Sequence, residues 1–76
     1  MRRLEQIVRA IEAELLRAQA THKPFNSGHE GWAVIREEVD ELWDAVKGHD
    51  ADGARREAVQ VAAMAMRFLL DDPWMA

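Results

Sequence analysis

Cysteine is absent from the 76-residue chain, so no disulfide can brace it and no thiolate can bind a metal. Long apolar runs are absent too: "VAAMAM" is the longest, far short of the ~18 residues that span a bilayer. The opening "MRRLEQIVRA" is interrupted by charge throughout and has no signal-peptide core. Positive charge is in deficit. Ten Lys and Arg stand against fourteen Asp and Glu, a formal net charge of −4, which argues against a nucleic-acid backbone or an anionic membrane as the main partner. A DNA-binding helix-turn-helix suffers from the same balance. There is no glycine-rich phosphate loop, and the Glu-x-x-His motif of di-iron bundles is missing. The expectation is a cytoplasmic protein with neither nucleic acid nor membrane as partner. A chain this short makes one domain, 1–76, that buries a modest share of its surface, and oligomerisation is the remaining common way to add core.

What is present is helical periodicity, in three segments placed at about 3–21, 28–47 and 53–71. In the first, Leu4, Ile7, Val8, Ile11, Leu15 and Ala18 form one apolar stripe. Pro24 disfavours helical geometry at Lys23, so this helix stops near Thr21. The second opens with Ser27 as cap and Glu30 three residues on, a capping box, and carries Trp32, Ile35, Val39, Leu42, Trp43 and Val46 as its stripe. Gly48 is the expected left-handed stop. The third starts after Asp50 or Asp52 and ends before Pro73. Ala54, Ala58, Val61, Ala65, Phe68 and Leu69 make one face apolar, and Val59, Ala63, Met66 and Leu70 the opposite one. A helix apolar all round is buried on all sides. The fold class is therefore all-α, a three-helix protomer that forms an oligomeric helical bundle.

The chemistry concentrates in "REEVDELWD", residues 36–44. At about 100° per residue, Glu38 and Glu41 stand one above the other along the edge of the apolar stripe, while Asp40 and Asp44 point away. Glu57 falls within the stripe of Val61, Met64 and Phe68, with Gln60 at its edge. A carboxylate there is costly unless paired or bound to metal. The short break makes the second and third helices antiparallel, and counting outward from it brings Glu41 level with Glu57 and Glu38 level with Gln60. Four oxygen-bearing side chains then meet, and hard oxygen ligands suit Mg²⁺ or Mn²⁺. Mg²⁺ takes few protein ligands and leaves room for substrate phosphates, so the constellation points to phosphate chemistry. The plain alternative is a solvated acidic helix face, common wherever helices are rich in Glu.

The segments "EEVDE" (residues 37–41) and "EAVQ" (residues 57–60), with the flanks "FNSGHEGWAVIREEVDELWDAVK" and "RREAVQVAAMAMRFL", resemble the MazG-like all-α nucleoside triphosphate pyrophosphatases of the small phage and bacterial type. The resemblance spans residues 25–70. It rests on the order, spacing and flanks of an E-E-x-x-E and an E-x-x-D motif. It implies a Mg²⁺-dependent hydrolase that splits the α–β phosphoanhydride of a nucleoside triphosphate into monophosphate and pyrophosphate, a nucleotide-housecleaning activity. By the same resemblance Mg²⁺ is held by Glu38, Glu41, Glu57 and the position of Gln60. Glu38 or Glu41 orients the attacking water, with Glu37 as a nearer-surface helper. The resemblance also implies a bundle completed by a second copy, as a dimer or tetramer. Gln60 departs from the family pattern, because an amide stands where an aspartate is usual.

For the substrate, Lys47, Arg55 and Arg56 cluster at the hairpin turn as candidates for the phosphates, with ordinary helix-end charge as the plain reading. Lys23 is a weaker candidate of the same kind. Phe25, His29 and Trp32 offer aromatic faces for the base, and Asn26 could read a base edge or share the cap. For Trp32 core packing weighs more, and Trp43 reads as core. The competing function is a catalytically weak helical oligomer that binds nucleotides or a protein partner, with Gln60 as its best support.

Overall fold

The computed structural model describes residues 2–74 and contains three helices: α1 (Arg3–Thr21), α2 (Gly28–Lys47) and α3 (Ala51–Asp71). Among the described residues there is no strand, and no helix is long and apolar enough to cross a membrane. α3 packs on both of the others, whereas α1 and α2 do not pack directly on each other. The result is a flat slab of 39 × 31 × 18 Å with α3 in the middle.

Each helix end has a local cause. The Ser27 hydroxyl accepts from the Glu30 amide (3.1 Å) and starts α2. The return half of the capping box is displaced by one residue: Glu30 accepts from the backbone and side-chain amides of Asn26 (3.3 and 3.1 Å), not from Ser27. The stop of α2 is displaced as well. Gly48 has φ −81°, and His49 is the left-handed residue at φ 56°. The Asp50 amide reaches the Ala45 carbonyl (3.0 Å) and the His49 amide that of Val46 (3.1 Å), the two bonds of a Schellman ending. Asp50 then caps α3, its carboxylate accepting from the Gly53 amide (2.9 Å), so α3 begins at Ala51, two residues earlier than the periodicity suggests.

The core is small. Leu15 and Ala18 of α1 meet Ala63 and Met64 of α3, with Ile11, Val34 and Ile35 packed around them. Gly31 lets α2 approach α3, because a β-carbon there would lie 2.5 Å from the Phe68 ring and 3.2 Å from Phe25. Phe25 is buried beneath the Arg67 guanidinium, 4.0 Å from its ring centre.

Several core assignments made from the stripes are corrected. Trp32 and Trp43 are 58% and 56% exposed, and Val39 and Val46 are also exposed. α2 carries two apolar stripes about a quarter-turn apart. The one turned to α3 is Gly31, Val34, Ile35, Leu42 and Ala45, buried or half-buried. Within the single chain Met66, Leu69 and Leu70 leave the back of α3 open. On α1 only the C-terminal part of the stripe is covered, and Leu4, Ile7 and Val8 are exposed.

Candidate metal centre

The short α2–α3 turn sets the register that matters. One carboxylate oxygen from each of Glu38, Glu41 and Glu57 lies within 4.8 Å of the others, Glu38 and Glu57 half-buried and Glu41 exposed. Three like charges so close repel, and the molecule records it. Partial burial raises the Glu38 carboxyl, together with the Glu41 charge and hydrogen bonds to Glu57 and Glu41, to a pKa of about 7. The Oε2 atom of Glu57 is buried without a hydrogen-bond partner, an arrangement that costs free energy unless something occupies the lone pairs. A glutamate with an orphaned buried oxygen, grouped with two more carboxylates, is a donor set that could hold a hard divalent cation.

Beside this group a cleft of about 440 Å³ opens between α1 and α2, floored by α3. Glu37 and Glu38 line its α2 wall, Arg17 and Lys23 the opposite one, and Gln60 and Met64 the floor. Gln60 lines the cleft near Glu38 and also approaches α1, where it bears on Glu14. The Glu14 carboxyl is held below its usual range by the hydrogen bond from Arg17 and, against some desolvation, by Gln60.

The other candidates divide. Asn26 lines the cleft, tied to Glu30. His29 and Trp32 line a separate groove with Phe68 and Trp74. Lys47 pairs with Asp44 (3.3 Å) and Arg55 with Asp52 (3.0 Å), both outside the cleft lining. Arg56 lines a groove between α1 and α3 with Val59 and Gln60. Phe25 is core rather than a free stacking face.

Three residues had not been singled out. Arg17 and Glu14 are an i, i+3 pair on α1, and their spacing was readable, but their place over Gln60 depends on how α1 docks. Arg67 is 5% exposed; it donates to the Lys23 carbonyl (2.7 Å) and pairs with Asp71 (3.4 Å). Comparison of the chain with family models, with curated proteins and with solved structures finds no match in any of the three.

Proposed function

We propose that the protein is a cytoplasmic, Mg²⁺-dependent nucleoside triphosphate pyrophosphohydrolase that works as a homo-oligomer. The observation that carries this reading is the convergence of Glu38, Glu41 and Glu57 from two helices, with the Glu57 Oε2 buried and unpartnered. In this reading the three glutamates hold Mg²⁺, or Mn²⁺ in its place, and Gln60 stands at the edge of the set with a neutral oxygen. The ion, when bound, supplies charge neutralisation for the phosphates and lowers the pKa of an adjacent water. Glu38 or Glu41 would orient that water, with Glu37, on the exposed lip of the cleft, assisting. The cleft supplies a concave volume in the range of small-molecule sites. The resemblance in "EEVDE" and "EAVQ" supports the substrate class. The exposed apolar side chains of α2 and the back of α3 support a second copy as the covering partner.

The test is a panel of nucleoside triphosphates incubated with Mg²⁺ and assayed for pyrophosphate. Turnover is expected, reduced at least a hundredfold in Glu38→Ala and Glu57→Ala, on the order of the loss when a key electrostatic group is removed. No turnover with any nucleotide by a folded protein would refute the enzyme. Gln60→Asp is expected to tighten Mg²⁺ binding by adding charge to the set, while lowering stability through repulsion with Glu14. Unchanged or weaker Mg²⁺ affinity in a calorimetric titration would remove residue 60 from the ligands.

The second reading is a catalytically weak oligomer that binds nucleotide or a protein partner. The approach of Gln60 to Glu14 favours it, since it gives the amide a role between helices. Nucleotide binding without pyrophosphate release would select it.

A further inference from the structure

The cleft has an acidic wall and a basic wall, and the basic one is built by α1 and the segment after it. Arg17 lies close enough to Glu38 for their charges to interact across the cleft. Its guanidinium is seated on Glu14, through Nε at 2.9 Å and through a second nitrogen. Glu14 is in turn contacted by Gln60 from α3. Arg17 is 57% exposed in its side chain and Glu14 only 16%, so a mostly covered carboxylate pairs with a guanidinium that is open to solvent beside the cleft. Lys23 is the complement. Its backbone carbonyl is fixed by the buried Arg67 (2.7 Å), while its ammonium has no ion-pair partner among the described residues.

We propose that Arg17 and Lys23 are the phosphate-binding residues of this cleft, and that Arg17 exchanges Glu14 for a phosphate oxygen of a nucleoside polyphosphate when it binds. This rests on the function proposed above and adds to it which cations take the phosphate charge. A polyphosphate is the ligand whose chemistry fits both walls: a cation held by the glutamates would bind its oxygens on one side, and two side-chain cations would bind them on the other. Glu14 competes with the ligand for Arg17. Gln60, which lines the same groove as Glu14, favours the charged form of that competitor, which gives the amide at position 60 a reason independent of metal binding.

Inorganic tripolyphosphate with Mg²⁺ is the probe, because it carries the phosphates without a base, and its affinity is read by calorimetry. Arg17→Gln and Lys23→Gln are expected to weaken binding about tenfold each, as loss of a charge-assisted hydrogen bond does. Arg17→Lys should recover part of the loss. Glu14→Gln should tighten binding several-fold by freeing Arg17, and Arg36→Gln, on an exposed part of α2, should leave it unchanged. Arg17 and Lys23 are both exposed, unlike the buried Arg67 that also lines the cleft, so circular dichroism of their variants should match the parent. Wild-type affinity in Arg17→Gln and Lys23→Gln would overturn the proposal, as would losses confined to Lys47→Gln, Arg55→Gln or Arg56→Gln. Weaker or unchanged binding in Glu14→Gln would overturn the exchange. If the parent protein turns over triphosphates while the Arg17 and Lys23 variants bind normally, only this assignment fails. If the parent neither binds tripolyphosphate nor turns over triphosphates, the proposed function fails with it.

Discussion

Glu38 is the residue at which sequence, packing and chemistry meet. Its ordinary carboxyl value is 4.5, and in the fold it rises to about 7 because it is partly desolvated beside Glu41 and Glu57. Between these values the folded protein keeps a proton that the unfolded chain has released. The Glu38 contribution to stability is therefore fully present below pH 4.5 and is lost as pH rises through 7. For the metal-free protein, Glu38→Gln should raise the melting temperature by a few degrees at pH 8 and leave it near that of the parent at pH 4. Added Mg²⁺ should raise the parent's melting temperature at pH 8 by mass action, and raise that of Glu38→Gln much less. Parallel melting curves for parent and variant across the whole pH range would show that the repulsion is absent. The inward position of Glu57 was legible in the sequence as a carboxylate inside an apolar stripe. The orphaned oxygen was not, because hydrogen-bond satisfaction depends on every neighbour.

At the scale of elements, the α2–α3 hairpin and the docking of α1 follow different rules. The hairpin is local: the Schellman ending at Gly48–His49–Asp50 runs straight into the Asp50 cap, so few residues fix its register. Counting along two helices was enough to bring Glu38, Glu41 and Glu57 into one group. The segment joining α1 to α2 is irregular, and what holds it is distant in sequence. Asp71 accepts from the Phe25 amide (3.1 Å) and pairs with Arg67, and Arg67 donates to the Lys23 carbonyl. Both side chains are more than nine-tenths buried. Removing one partner strands the other charge and the Phe25 amide, so Asp71→Ala should cost about 3–5 kcal/mol, a large part of the stability of a domain this small. Urea unfolding measures it. Replacing both residues, Arg67→Met with Asp71→Leu, should cost less than Asp71→Ala alone. A loss under about 1 kcal/mol in Asp71→Ala would mean the pair is worth no more than a surface ion pair. An arginine in "MAMRFLL" reads as a solvent-facing interruption, and only the loop it clasps explains its burial.

The whole molecule is a slab with two unlike faces. One carries the cleft. Around α2, the apolar side chains Trp32, Val39, Trp43 and Val46 lie roughly opposite the cleft-lining Glu30, Val34 and Glu37, by helix geometry. Two tryptophans more than half exposed on one stripe are unusual for a free protomer surface. In the proposed oligomer this stripe and the back of α3 are covered by a second copy. Trp43→Glu would place a charge in that interface, and light scattering should then report the mass of a single 8.7 kDa chain at concentrations where the parent is larger. A parent that is monomeric at high micromolar concentration would overturn the oligomer. Glu38 and Glu41 lie away from this stripe by the same wheel, so Mg²⁺ binding by Trp43→Glu separates loss of assembly from loss of the proposed metal site.

The sequence by itself determined three helices, their breaks and the Ser27 cap, and narrowed the cap of α3 to Asp50 or Asp52, because hydrophobic period, capping residues and the two prolines act within a few residues. It also determined that three glutamates would meet, because a tight turn leaves antiparallel helices little freedom of register. The tertiary structure decided which of two apolar stripes on α2 is inside, since both satisfy the helical period equally and only the packing of Gly31 against Phe68 distinguishes them. It also decided where α1 lies, and with it the cleft, the approach of Gln60 to Glu14 and the burial of Arg67. Those depend on contacts between residues more than forty positions apart, which no local pattern encodes.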